Sequence, residues 1–257
     1  MASASGRYVI AFNGEIYNHA DLREQLESQG QGQRWRGHSD TETLLAAIES
    51  WGLEATLQRC IGMFAIALWD RESASLSLAR DRLGEKPLYY GWQSGRGWRC
   101  FLFGSELKAL KAHPSFAAPI NRDAVTLLLR HNYVPAPYSI HEDIFKLEPG
   151  RILTLAAGST QARESIYWDA AQAALAARDK PFTGSTDEAV DQLERIAKDA
   201  VRLQMVADVP LGAFLSGGID SSTVVALMQS QSSRPVKTFT IGFDEAGYNE
   251  AEHAKAV

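Results

Sequence analysis

Val209-Pro-Leu-Gly-Ala-Phe-Leu-Ser-Gly-Gly-Ile-Asp-Ser-Ser-Thr223 sets a strand-like apolar run directly against two glycines and the opening of a helix. The apolar residues through Leu215 predict a buried strand, and the chain must then turn sharply at Gly217-Gly218 before the next element begins. A turn of this composition suits an anion. Glycine lets backbone N–H groups approach a ligand with no Cβ in the way, and the free N–H groups and positive dipole end of the following helix favour negative charge. Ser216, Ser221 and Ser222 add hydroxyl donors, and Asp220 supplies a carboxylate suited to a magnesium ion held against phosphates. The competing reading is a plain Gly-Ser turn between a strand and a helix.

The spacing excludes two common phosphate loops. No Gly-Lys-Ser/Thr follows the turn, and Gly-x-Gly-x-x-Gly is absent from it. On either side the periodicity continues the theme. Thr186–Ala207 places Val190, Leu193, Ala197 and Val201 at helical spacing, with Asp191/Arg195 and Glu194/Lys198 pairs on the outer face. Val209–Leu215 and Lys237–Gly242 read as strands, joined by a helix through about Gln229. Strand-helix-strand at this spacing implies a right-handed crossover in a parallel sheet, with ligand at the strands' carboxyl ends.

The first half has another rhythm. Arg7–Asn13, Met63–Asp70, Ser75–Arg80, Leu88–Gln93 and Trp98–Gly104 carry the branched and aromatic residues of strands. Asn18 precedes a helix that stops at Gly30, and Ser39-Asp-Thr-Glu42 reads as a capping box for a second helix ending at Gly52. Short strands with segregated helices point to an α+β layered domain. Alanine, lysine, proline and glycine between Tyr167 and Ser185 mark a linker with room for a helical turn, so the expected organisation is 1–166, a linker 167–185, and a second domain 186–257.

Ala11-Phe-Asn-Gly-Glu-Ile-Tyr-Asn18 brings an amide side chain, a glycine N–H and a carboxylate together within three residues. Asn13 Nδ2 and the Gly14 N–H suit an oxyanion, while Glu15 and Asp40 suit an α-ammonium group. The local alternatives are a type I′ hairpin turn at Asn13-Gly14 and a simple N-cap role for Asp40.

Composition narrows the field. With 45% hydrophobic and 22% charged residues the chain reads as a soluble globular protein, expected in the cytoplasm. A net charge of −5, with no cluster of lysine or arginine, gives no electrostatic support to nucleic-acid or membrane-surface binding. Cys60 and Cys100 lack metal-ligand spacing and read as buried reduced thiols, and the six histidines show no paired metal spacing and read as surface or capping residues.

The Ser216–Ser222 loop resembles the pyrophosphate-binding loop of ATP pyrophosphatases. Five further segments extend the likeness: Phe12-Asn-Gly-Glu-Ile-Tyr-Asn18, Ser39-Asp-Thr-Glu42, Gly62-Met-Phe-Ala-Ile-Ala-Leu-Trp-Asp70, Arg80-Asp-Arg-Leu-Gly-Glu-Lys-Pro-Leu-Tyr-Tyr90 and Phe103-Gly-Ser-Glu-Leu-Lys-Ala-Leu110. Together with Lys146-Leu-Glu-Pro-Gly150, Tyr167-Trp168 and Thr240-Ile-Gly-Phe-Asp-Glu245, they are similar, in the same order, to glutamine-hydrolysing asparagine synthetase. The resemblance implies an incomplete N-terminal-nucleophile hydrolase domain, an α-β-β-α sandwich, followed by an incomplete α/β parallel-sheet ATP pyrophosphatase domain. It implies an ATP-dependent carbon–nitrogen ligase. Ammonia released from glutamine would pass to an aspartate β-carboxylate activated as aspartyl-AMP, with ATP and Mg2+ required and a homodimer compatible with the family. On this resemblance Asn13, Gly14, Glu15 and Asp40 bind glutamine, with Asn13 and Gly14 as oxyanion donors. Leu215, Ser216, Gly217 and Ile241 contact ATP, and Gly218, Asp220, Ser221 and Ser222 hold pyrophosphate and magnesium.

Arg80, Asp81, Arg82 and Lys86 are expected to form an ion-pair network that fixes the sandwich. The sequence also departs from the family. The expected nucleophile is a cysteine at the processed N-terminus, yet Met1 is followed by Ala2, no cysteine precedes Cys60, and only eleven residues precede Phe12. The chain also ends at Val257 within a helical pattern, so the sequence is expected to be an internal fragment that does not hydrolyse glutamine alone. Two other functions stay open. One is a same-family amidotransferase acting on another carboxylate, such as a sugar acid in surface-polysaccharide assembly, and the other is a non-catalytic nucleotide-binding remnant.

Overall fold

A computed structural model describes residues 1–32, 34–95, 98–207, 209–245 and 249–257. The chain divides into two compact units, Met1–Asp179 and Lys180–Val257.

The first unit opens with strand β1 (Tyr8–Ile16), followed by helices α1 (His19–Ser28), α2 (Asp40–Trp51) and α3 (Leu53–Arg59). Strands β2 (Gly62–Asp70), β3 (Ser75–Arg80), β4 (Tyr89–Gly95) and β5 (Trp98–Gly104) follow, then helices α4 (Leu107–Lys111) and α5 (Arg122–His131). Strands β6 (Phe145–Lys146), β7 (Arg151–Ala156) and β8 (Arg163–Ile166) and helix α6 (Ala170–Arg178) complete it. Two antiparallel sheets result, one in the order β1-β2-β3-β7-β8 and one in the order β5-β4-β6.

Period-two alternation decides which face of the larger sheet meets what. Ile10, Ile16, Phe64, Ile66 and Leu68 face Leu22, Leu44, Leu45, Ile48 and Leu57 of the three helices. The opposite face sends Ala65, Ala67, Leu78 and Leu153 against Tyr90 and Phe101 of the smaller sheet and Leu88 just before it. Helices, sheet and sheet therefore stack in layers, the α+β arrangement expected from the sequence. Each fully buried Leu or Ile contributes about 1.5–3 kcal/mol relative to exposure. The outer face of the smaller sheet is covered by chain: Ala117 donates its N–H to Gln93 Oε1 at 3.0 Å, and there is no room for a Cβ at Gly91 beside Asp143.

Several elements depart from expectation. Asn13-Gly14 is no hairpin turn, because β1 runs straight through it to Ile16. The region assigned to the linker holds the nine-residue helix α6, capped by Asp169, whose carboxylate accepts the Gln172 N–H. The capping box at Ser39 does not form: Ser39 is the N-cap without a side-chain bond, and Glu42 instead accepts the N–H groups of Arg36 and Gly37. His141, expected at the surface, is buried.

The second unit contains helix α7 (Thr186–Gln204), strand β9 (Gly212–Phe214), helix α8 (Ile219–Ser230), strand β10 (Lys237–Phe239) and helix α9 (Ala251–Ala256). β9 and β10 pair in parallel, with Phe214 opposite Phe239, as a strand-helix-strand crossover requires. Both strands are shorter than the apolar runs suggested. Val190, Leu193 and Ile196 on α7 and Phe214 and Phe239 on the strands stay exposed. Among the described residues no helix is long and apolar enough to cross a membrane.

Candidate functional site

β1 is an edge strand, and its outer edge is where the first candidate site lies. Gly14 pairs with Phe64, whose N–H and C=O are both engaged on the other side, by the Asp81 carboxylate at 3.1 Å and the Asp81 N–H at 2.9 Å. In an antiparallel ladder that makes Gly14–Phe64 a non-hydrogen-bonded pair, so the Gly14 N–H points to the open edge. Neighbouring even residues confirm the direction: Ile10 N–H donates to Met1 O at 2.9 Å and Ile16 N–H to Asp40 Oδ2 at 2.9 Å. Glycine is required at position 14 for closeness, since a Cβ would collide with the Met63 carbonyl and lie 2.7 Å from Phe64 Cα.

Asn13 and Glu15 share the opposite parity and are exposed on one face of β1. Asn13 Nδ2 donates to Ser105 Oγ at 2.8 Å, a partner just beyond β5 that the residue-by-residue reading missed. Asp40 sits in the first turn of α2, and its carboxylate bonds the Ile16 N–H and, at 3.2 Å, the Thr41 hydroxyl. It ties the helix to the strand instead of serving as the N-cap. All four expected residues thus gather at one end of β1. An unpaired N–H beside a side-chain amide can face a developing negative charge, and two carboxylates nearby can face an ammonium group.

Neither cysteine supplies a nucleophile there. Cys60 is buried, and burial pushes its thiol up to about 12, so it stays protonated and unreactive at neutral pH. Cys100, half-buried and not fully enclosed as expected, lies on β5 with its thiol 3.7 Å from the Gln93 carbonyl. Iodoacetamide at pH 8 is therefore expected to leave Cys60 unmodified in the native chain and to alkylate it rapidly in urea. Mass spectrometry of the Cys60 peptide reads this directly, and labelling at equal rates in both conditions would contradict the burial.

Arg80, which ends β3, and Asp81, Arg82 and Lys86, which follow it, do not pair with one another as expected. Arg80 donates to the carbonyls of Lys86 (2.8 Å), Leu147 (2.7 Å) and Gly84 (2.6 Å). Asp81 accepts from the N–H groups of Leu83, Glu85, Lys86 and Phe64. Arg82 reaches the Gln58 carbonyl at 2.7 Å. Main-chain groups, more numerous than side-chain charges in a tight loop, satisfy the buried Arg80 and Asp81, whereas Arg82 Nε has no partner among the described residues.

In the second unit the turn after β9 closes on itself on one side only. Ser216 Oγ accepts the Gly218 N–H at 3.3 Å and lies 3.0 Å from Ser221 Oγ, which also accepts the Ser216 N–H at 3.3 Å. Gly217 adopts φ +78°, and a Cβ there would lie 2.6 Å from the His253 backbone on α9. The other side is open. Gly218, Ile219 and Asp220 are exposed, Gly218 is an N-cap without a side chain, and no described acceptor meets the Ile219 or Asp220 N–H. Ser222 Oγ is buried, with no partner among the described residues. Leu215 N–H bonds Phe239 O at 2.9 Å, and Ile241 follows two residues beyond β10. The expected residues therefore collect at the carboxyl ends of both parallel strands, and free N–H groups with an unsatisfied hydroxyl fit a phosphate. Among the described residues no three His, Cys, Asp or Glu side chains gather as a metal cluster.

Residues 1–168 match the family model described as glutamine amidotransferase domain. The chain belongs to that family. Residues 192–257 match the model for asparagine synthase. A Methanocaldococcus jannaschii relative with the provisional name asparagine synthetase [glutamine-hydrolyzing] 2 is 34% identical over 97% of this chain and 45% of its own length. A Mycobacterium tuberculosis protein, provisionally named asparagine synthetase [glutamine-hydrolyzing], is 37% identical over 98% of this chain and 38% of its own length. Asparagine synthetase [glutamine-hydrolyzing] 1 of Bacillus subtilis is 34% identical over 96% of this chain and 37% of its own length. The amidotransferase chain thus spans less than half the length of these relatives.

Proposed function

We propose that this chain serves glutamine-dependent amide synthesis of the asparagine synthetase type, in the cytoplasm. Residues 1–166 supply the glutamine-binding and oxyanion groups of the ammonia-releasing part, whose nucleophile neither Cys60 nor Cys100 provides, 167–185 link, and 186–257 begin the part that activates the aspartate carboxylate with ATP. In the first part Asn13 Nδ2 and the Gly14 N–H receive the oxyanion, while Glu15 and Asp40 hold the α-amino end. In the second, Leu215, Ser216, Gly217 and Ile241 contact ATP, and Gly218, Asp220, Ser221 and Ser222 hold its pyrophosphate. Asp220, exposed beside free backbone N–H groups, would hold Mg2+, which when bound neutralises phosphate charge. Dividing the work is chemically sound: adenylation replaces a poor oxide leaving group with AMP, and enclosure keeps ammonia unprotonated and away from water.

The observation that carries this reading is the open side of the Gly217–Ser222 turn, with two unaccepted N–H groups and the orphaned Ser222 hydroxyl at the ends of parallel strands. Isotope exchange between pyrophosphate and ATP, measured on the full-length gene product with aspartate, a uronic acid and other carboxylates, tests it. Aspartate is expected to support exchange, and Ser222→Ala to reduce it at least tenfold. Exchange with no carboxylate, or exchange indifferent to Ser222, would refute the assignment.

A further inference from the structure

Asp81 is fully buried, yet the proposed reaction gives it no part. Its backbone N–H continues the β2–β3 ladder by one residue, donating to Phe64 O at 2.9 Å after the last regular pair, Ala65 with Arg80. Its carbonyl does not complete that pair. It turns away to accept the N–H of Gly150 at 3.0 Å and of Gly84 at 3.2 Å. The carboxylate takes over the vacated role: Oδ2 accepts the Phe64 N–H at 3.1 Å and the Lys86 N–H at 3.0 Å, while Oδ1 accepts those of Leu83 and Glu85 at 3.2 and 2.9 Å.

Phe64 stands opposite Gly14, and the two backbones touch there without slack, because no Cβ fits between Gly14 and the Met63–Phe64 peptide. Whatever fixes Phe64 fixes Gly14. We infer that Asp81 is a positioning residue for the Gly14 amide: by holding both main-chain groups of Phe64 it keeps the Gly14 N–H aimed at the open sheet edge. Preorganised donors stabilise a developing oxyanion because they need no reorientation when charge appears. An asparagine at position 81 could accept two of the four N–H groups, but its own NH2 would face the other two.

The inference rests on the proposed glutaminase reading, and the test separates the two. Full-length wild type, Asp81→Asn and Tyr167→Phe are compared. Tyr167→Phe deletes a 2.8 Å bond from the Tyr167 hydroxyl to Arg80 O in the same region while leaving both Asp81–Phe64 main-chain bonds in place. For Asp81→Asn, kcat for glutamine hydrolysis is expected to fall about 30-fold with KM within threefold. Inhibition by L-glutamate γ-semialdehyde, an aldehyde whose adduct with the nucleophile carries an oxyanion, should weaken by a similar factor. Ammonia-dependent synthesis should persist, and Tyr167→Phe should lower the melting temperature while leaving both glutaminase readouts unchanged. If Asp81→Asn does not fold, Asp81→Glu keeps the charge but moves the acceptor by one methylene, and a tenfold loss of kcat is expected. A folded Asp81 variant with kcat and semialdehyde inhibition within twofold of wild type overturns the inference. So does Tyr167→Phe losing kcat as Asp81→Asn does. Absence of glutaminase activity in the wild type overturns the underlying reading instead.

Discussion

Gly217→Ala is expected to destabilise the second unit by about 2–5 kcal/mol and to weaken ATP binding more than tenfold. Two independent costs add. At φ +78° an L-residue sits in the left-handed region, at about 1–2 kcal/mol. The new methyl would also lie 2.6 Å from both the backbone carbonyl carbon and the Cβ of His253, and 2.8 Å from Ala254 N. Backbone cannot rotate away as a flexible side chain would, and overpacking of this kind costs about 1–3 kcal/mol. Either α9 moves off or the turn flattens, and flattening spoils the alignment of the N–H groups that follow. Gly218 provides the contrast. Its φ is −74°, and a Cβ there would meet only Ser216 Oγ at 3.4 Å, so Gly218→Ala should cost under about 1 kcal/mol in stability. Thermal melts by circular dichroism and calorimetric ATP titration of the full-length protein give both numbers. Equal destabilisation by the two substitutions would show that the Gly217 backbone is not packed against α9.

What the sequence disclosed, and what it hid, follows the range of the interactions involved. Ser75–Arg80 and Trp98–Gly104 were delimited correctly, because a branched or aromatic run met turn residues within a few positions. The gathering of Asn13, Gly14, Glu15 and Asp40 was half legible: three are neighbours in sequence, while the bond from Ile16 N–H to Asp40 depends on how α2 meets β1. Asn13-Gly14 misled as a turn, since its glycine answers to the Met63–Phe64 backbone and not to a local bend. Two Ser-x-x-Glu patterns make the point most clearly. Ser185-Thr-Asp-Glu188 forms a full capping box at α7, with the Ser185 N–H to Glu188 bond at 2.7 Å and the return bond at 3.3 Å. Ser39-Asp-Thr-Glu42 forms none, because the N–H groups of Arg36 and Gly37 claim the second glutamate. Local pattern is identical and tertiary competition decides. α5 did carry a local signal, an Asn121 side chain that accepts the Asp123 and Ala124 N–H groups, whereas β6 is two residues long and exists only by pairing with β4.

The same distinction governs Arg80, where charge and geometry can be separated by substitution. Arg80→Met is expected to lower the stability of the first unit by about 2–4 kcal/mol. Three hydrogen bonds from the guanidinium end on carbonyls, one of them on the buried Leu147, and each bond to a charged donor is worth about 1.5–3 kcal/mol. Their sum overstates the loss, because burial disfavours the cation and holds its pKa below the usual arginine value, and methionine removes that cost. Arg80→Lys settles which property matters. It keeps the charge but replaces a planar fork, which spans Gly84, Lys86 and Leu147, with a single ammonium centre that reaches fewer of them. The lysine variant should therefore lose about 2–3 kcal/mol, nearly as much as methionine. Urea unfolding followed by tryptophan fluorescence isolates the effect, since all six tryptophans, Trp35, Trp51, Trp69, Trp92, Trp98 and Trp168, belong to the first unit. Full stability with lysine would mean that the loop requires a cation and not a fork. Loss in both variants, with the denaturant dependence unchanged, identifies three carbonyls converging on one rigid donor as what closes the loop between β3 and β4.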